Sequence, residues 1–185
     1  MLTEPLSAFV IPVEFTCNII TDSVLVPNIY QFNIGIDPIS SDPEITSLGF
    51  RKIKMLFNDI LPNSILINQN HTAFETVKSL DNNTVALPCE PYDFYVGSIL
   101  MAKLYAITEK HLDIQYVTVS SMIGDNIQYN IASPYDSDLE LDGGTWWNTD
   151  DMWTGGNLAP SWDDVKLNDT STFKPIVVKG GLSEN

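Results

Sequence analysis

The chain has 185 residues, which suits one domain with a real core, or a domain of about 130 to 140 residues with an extension. Its 44% apolar content, with seven Tyr and eight Phe, excludes a disordered chain, so the formal net charge of −15 must sit on a folded surface. Such a surface repels nucleic acid and anionic membranes and favours basic partners, which argues against a direct nucleic-acid binder.

From the N-terminus, residues 8 to 36 read as strands: Phe9 to Val13, Glu14 to Ile20 and Asn28 to Ile36, broken at Asp22-Ser23, Pro27 and Asp37-Pro38. In the third, Tyr30, Phe32, Ile34 and Ile36 oppose Ile29, Gln31, Asn33 and Gly35, the alternation of a half-buried strand. Residues 37 to 46 read as a loop. Phe50, Ile53, Phe57 and Ile60 then recur every three or four residues, which predicts an amphipathic helix from Leu48 to Leu61, stopped by Pro62. A short strand through Ile65 to Ile67 follows, then a helix over 70 to 81 with Phe74, Val77 and Leu80 inward, and a strand from Thr84 to Leu87.

The central element is expected between Tyr92 and Lys110. Pro91 suits a helix start and Asp93 places negative charge in its first turn. Tyr92, Tyr95, Val96, Ile99 and Lys103 lie on one face, Leu100, Leu104 and Ile107 on a second, and small residues fill between, so this helix should be buried almost all round. It is too short and too charged for a membrane span. Leu112 to Val117 and Ile127 to Ile131 flank the turn residues Gly124-Asp125-Asn126, which predicts a hairpin packed on the helix. The resulting fold class is α+β, a mainly antiparallel sheet packed on a central apolar helix, without regular βαβ alternation.

Charge divides the chain into an expected core domain, 1–132, and an acidic, Trp-rich C-terminal extension, 133–185. Residues 1 to 132 hold 14 acidic and 6 basic side chains, whereas 133 to 165 hold 8 acidic and none basic, together with all four tryptophans. Cys17 and Cys89 are expected to be reduced, buried thiols, since two cysteines make neither a zinc site nor a disulfide framework. Met1 to Phe9 lacks a basic n-region, so no signal peptide is expected, and the sequons at Asn70, Asn82 and Asn168 read as chance matches.

Glu90-Pro91-Tyr92-Asp93, Val96-Gly97, Lys103-Leu104, Ala106 to Glu109, Ser120-Ser121 and Gly124-Asp125 together resemble a pattern found in small accessory proteins encoded by tailed bacteriophages, over about Leu48 to Trp147. The resemblance carries no active site. It implies a context: a product made in the cytoplasm of an infected bacterium, which engages a host protein or serves the virion.

Catalytic and metal signatures are sparse. Asp138, Glu140 and Asp142 before Gly143 imitate a calcium loop, but Thr149 stands where a bidentate Glu is required, so no metal and no other cofactor is expected. His71 and His111 fall in unrelated segments, and His111 beside Lys110 suits a helix C-terminus better than a catalytic base. Arg51, Lys52 and Lys54 form the one basic cluster, a solvated face or an intramolecular partner for the acidic segment. The expected partner-binding residues are Trp146, Trp147, Trp153 and Trp162 for short-range contact, and Asp150, Asp151, Asp163 and Asp164 for steering. For Trp146 and Trp147 the alternative is closure of the chain's own core. The sequence reading is thus a non-enzymatic acidic protein that binds and inhibits or redirects a host protein through its basic, nucleic-acid-binding or defence surface. The alternatives are a virion structural or assembly subunit and, after it, a calcium- or glycan-binding module.

Overall fold

The computed structural model describes residues 9–80, 83–109, 111–141, 145–151, 154–155 and 176–177. The first two predicted strands are one, β1 (Phe9–Thr21), which turns at Asp22-Ser23 into β2 (Val24–Pro38). Pro12 and Glu14 do not interrupt it. Among the described residues β1 pairs with β2 along its whole length but meets other strands only at Phe9–Val10 and Cys17–Ile19, so Pro12 lies where one side of the strand has no ladder to break. Asp22 and Ser23 both have positive φ, 50° and 63°, the geometry of a two-residue turn whose twist matches the flanking strands.

Helix α1 (Pro43–Met55) starts earlier than the apolar period suggests. Asp42 accepts a hydrogen bond from the Glu44 backbone N–H and Pro43 occupies the first turn, so a stretch that reads as loop chemistry is in fact a cap. The helix runs on through a wider turn, Leu56–Ile60, to Leu61. After β3 (Ser64–Asn68) comes the short α2 (Phe74–Leu80), of which Phe74 and Val77 face inward while Leu80, expected inside, is 82% exposed. Then follow β4 (Thr84–Leu87), α3 (Asp93–Thr108), β5 (Leu112–Ser121), β6 (Tyr129–Ile131) and β7 (Ile176–Val177).

The strands join in the order β4-β3-β1-β2-β5-β6, with β7 pairing the start of β1. The fold is α+β, as expected, but its sheet is mixed. β1, β2, β5 and β6 are antiparallel neighbours, whereas β3 and β4 run parallel to β1. Short predicted strands separated by a helix carry no sign of their direction, which is set by the crossover through α1 and α2.

One sheet face carries the main core. Phe15, Tyr30, Phe32 and Phe57 stack there with ring centroids 5.3 to 6.3 Å apart, and α1 and α3 cover them. On the other face α2 covers Ile20, Ile67 and Ala86. Helix α3 is enclosed almost all round: Val96, Ile99, Leu100, Met101, Leu104 and Ile107 are all buried, and Gly97 lets it approach Val119 and Ile131 where a Cβ would collide. Leu104→Ala should therefore cost about 2 to 5 kcal/mol in urea unfolding. A loss below about 0.5 kcal/mol, the level of an ordinary surface change, would contradict this placement.

Candidate functional site

In α3 the sequence places a lysine among apolar residues. Lys103 is completely buried. Its Nζ donates to the carbonyl oxygens of Trp146 (2.7 Å) and Thr149 (2.9 Å), and lies 3.6 Å from Asp151 Oδ1, so its three N–H groups face three oxygens of one short loop. It also sits 5.7 Å from the Trp146 ring centroid. Burial lowers the ammonium to about 8, against the opposing pull of Asp151 and then Asp150.

The loop so held is the start of the acidic segment, and here the expectation for two tryptophans is corrected. Trp146 and Trp147 are each 2% exposed and belong to the main core with Leu141. Their rings meet edge to face at 5.7 Å. Trp147 donates its indole N–H to Leu141 O (3.1 Å), and Trp146 donates to Ala86 O (2.6 Å). Neither indole is available to a partner. The described part of the segment after residue 132 is thus packed against the same core as residues 9–131. Asp150 and Asp151 are exposed, with Asp151 engaged by Lys103 and by the Thr149 hydroxyl. Trp153, Trp162, Asp163 and Asp164 lie outside the described residues.

The Trp146 bond to Ala86 has a second consequence. Strand β4 is the edge of the parallel half of the sheet, and Ala86 presents its outward N–H and C=O away from β3. Thr154 O accepts from that N–H (2.9 Å), Trp146 takes the C=O, and the Thr154 hydroxyl donates to Thr84 O (3.3 Å). The C-terminal segment therefore closes an edge that would otherwise template another strand.

At the C-terminal end of α3, a cleft of about 310 Å³ is lined by Lys52, Glu109, His111, Asn148, Thr149 and Asp150. It brings one lysine of the 51–54 cluster and one aspartate of the acidic segment to the same cleft, with both signs of charge on its walls. No group of three or more His, Cys, Asp or Glu able to hold a metal occurs among the described residues. Asp138 and Glu140 of the calcium-like run are exposed, and Asp142 and Gly143 lie outside the described residues. Cys17 is buried and its thiol is pushed up to about 12 by burial; Cys89 is partly buried and pushed up to about 11, by burial, then Glu90 and Asp138. Neither is a poised nucleophile at neutral pH.

At the opposite end of α3 a polar network fixes the β5–β6 turn. Ser121 donates to Asp93 Oδ1 (2.7 Å) and accepts from the Gly124 N–H (3.1 Å), and Asn28 Oδ1 accepts from Ile123 N (3.1 Å). Position 124 must be glycine, because a Cβ would collide with the Asp93 carboxylate. Asp125 and Asn126 complete the turn with φ of 53° and 57°. The turn it holds exposes Met122, Ile123 and Ile127; Tyr92 and Tyr129 are exposed on the α3 side of the sheet and Ile29 on the other side. Their number was not legible as a surface, since Ile127 and Tyr129 alternate as if half-buried.

Compared with known proteins, the chain matches no family model and no curated sequence. Among the described residues no helix is long and apolar enough to cross a membrane.

Two expectations follow from the geometry. Trp146→Ala, which removes a core ring and uncaps β4, should cost about 3 to 5 kcal/mol, measured by urea unfolding, whereas an exposed binding tryptophan would cost almost nothing. Lys103→Met should cost about 2 kcal/mol at pH 7, because the Trp146 and Thr149 carbonyls lose their donor. Lys103 has its folded value below the ordinary 10.5, so between about pH 8 and 10.5 the unfolded chain binds more protons, and its contribution to stability rises with pH. The deficit of Lys103→Met against the wild type should therefore grow by up to about 3 kcal/mol across that window. The raised thiols and Tyr30, present in both proteins, cancel in the comparison. A deficit that shrinks or stays constant with pH would refute the buried-ammonium assignment.

Proposed function

We propose that this chain is a non-enzymatic acidic protein that binds a basic surface of another protein. One observation carries the reading. No lysine or arginine occurs in residues 1–50 or 111–165, and the latter stretch alone holds ten acidic side chains. Strands β1, β2, β5 and β6 thus bring no lysine or arginine to the surface, and beside the loop 145–151 Lys103 is consumed inside the fold, leaving Lys52 in the adjoining cleft. A surface with so large an excess of carboxylates repels phosphate and steers a cationic protein surface toward it.

The buried ionisable groups support a structural rather than a chemical role for the interior. Lys103 is given to the C-terminal loop, Asp93 to Ser121, and the Tyr30 hydroxyl to Pro91 O (2.7 Å). With the resemblance to phage accessory proteins, the reading becomes a phage product in the infected cytoplasm that occupies the basic, nucleic-acid-handling or defence surface of a host protein. Its carboxylates stand in for phosphates there. Asp150, Asp151, Asp163 and Asp164 supply the approach, and Trp153 and Trp162 remain the tryptophans proposed for contact.

A partner isolated by chemical crosslinking from host lysate provides the test. Its affinity should fall about tenfold or more as salt is raised from about 50 to 300 mM, because exposed charges are screened over about 6 to 14 Å in that range. Asp150, Asp163 and Asp164→Asn together should slow association while leaving dissociation unchanged. Salt-independent binding, or turnover of a substrate by the purified chain, would overturn the reading, as would assembly of the chain itself into multimers.

A further inference from the structure

We propose that the open part of the second sheet face, built from Pro12, Glu14, Gln31, Asn33, Tyr116 and Thr118, is a binding site for a neutral oligosaccharide. The inference stands apart from the basic-partner reading and rests on different residues. Strand register puts all six side chains on one face. Glu14 lies opposite Gln31, Pro12 opposite Asn33, Asn33 opposite Thr118, and Gly35, two residues on from Asn33, opposite Tyr116. Their strand neighbours Val13, Phe15, Phe32, Val117 and Val119 point the other way, into the main core. Helix α2 covers this second face over Ile20, Ile67 and Ala86, toward β3 and β4, and leaves Pro12, Glu14 and Gln31 exposed. Where Pro12 and Glu14 face Gln31 and Asn33, the sheet carries a shallow hollow of about 350 Å³.

The chemistry of this face selects the ligand. Gln31 and Asn33 each carry a donor and an acceptor on one amide, and Glu14 adds a carboxylate, a set that neighbouring sugar hydroxyls satisfy in pairs. The Thr118 hydroxyl donates to Asn33 O (3.3 Å) and has lone pairs with which to accept from a ligand. Tyr116 supplies the apolar platform. A Cβ on Gly35 would collide with Tyr116 Cδ1, Cε1 and Cζ, so the ring lies across that glycine and no other residue would let it. A ring held against the sheet offers the electron-rich face on which the C–H groups of a sugar pack. Gln31 and Tyr116 stand about 14 Å apart along and across the strands, longer than one sugar ring, which calls for an oligosaccharide. Charge disfavours the other ligand classes. Residues 1–50 and 111–165 contain no lysine or arginine, so these strands offer neither to a phosphate or sulfate group. Asp37 and Asp113 face each other beyond Tyr116, so a cationic segment lying over the hollow meets Glu14 among uncharged amides and hydroxyls.

Isotope-labelled full-length protein can be titrated with cellotriose, maltotriose and chitotriose, read by backbone and side-chain amide chemical shifts. At least one should shift the side-chain amide signals of Gln31 and Asn33 and the backbone amides of Tyr116 to Thr118, with a Kd of about 0.1 to 5 mM, the range for a few neutral hydrogen bonds and one stacked ring. Tyr116→Ala should weaken binding about tenfold, and Tyr116→Phe, which keeps the ring, should restore it. Gln31→Leu, at an exposed position, should also weaken it about tenfold, with Glu44→Gln on α1 as an unaffected control and circular dichroism confirming that each variant is folded. Raising salt from about 50 to 300 mM should leave the affinity unchanged, because a neutral ligand gains nothing from screened charges. No shift with any of the three sugars, shifts confined to other parts of the chain, or undiminished affinity in folded Gln31→Leu would overturn the assignment. Shifts of this face by a Lys/Ser peptide and not by the sugars would give it to the cationic partner and refute the sugar.

Discussion

A single ammonium group, Lys103 Nζ, determines how this chain closes. Burying a charge costs several kcal/mol, and the cost is tolerable only where its donors are all met. Here the oxygens that meet them come from residues 146 to 151, more than forty positions further on. The helix cannot keep its lysine inside without that loop, and the loop, polar and rich in aspartate, has little reason to fold back without the lysine. The two together convert an acidic stretch with the composition of a tail into a wall of the core.

Once the loop is docked, Trp146 and Thr154 reach strand β4. The parallel half of the sheet ends there, and an uncovered edge is a standing risk of pairing with another chain. An indole N–H, a backbone carbonyl and a hydroxyl take up three of the outward groups of Thr84 and Ala86. The interaction that satisfies the buried lysine and the one that protects the edge therefore share a residue, since Trp146 gives its carbonyl to one and its indole N–H to the other.

The ends of the sheet are treated differently. Near the C-terminus of α3, the surface is a polar cleft with both signs of charge. Near its N-terminus, hydrogen bonds among Asp93, Ser121, Gly124, Asn28 and Ile123 hold a turn whose apolar side chains point outward. Buried polar networks of this kind are expensive, and rigid presentation of Met122 to Ile127 is what this one achieves.

Much of the fold could be read from residue order. Period-two alternation located β2, β5 and β6, and the all-apolar circumference of α3 announced its central position, because both patterns are local consequences of side-chain geometry. Turn chemistry at Gly124-Asp125-Asn126 marked the β5–β6 hairpin for the same reason, while Asp22-Ser23 read only as a break, as did Pro27, across which β2 in fact runs on. The direction of β3 and β4 was not legible, since a strand's own residues do not encode which neighbour it will lie beside. Nor was the fate of the tryptophans. Trp146 and Trp147 stand in an acidic, Gly-rich stretch that reads as surface, and only the three-dimensional meeting with Lys103, Leu141 and Ala86 makes them core. Composition by itself determined that the surface is strongly acidic, because a net charge of −15 cannot be buried. Where that acidic chain docks its own carboxylate-rich segment was decided by tertiary structure, which brings residues 146 to 151 against Lys103 from more than forty positions away.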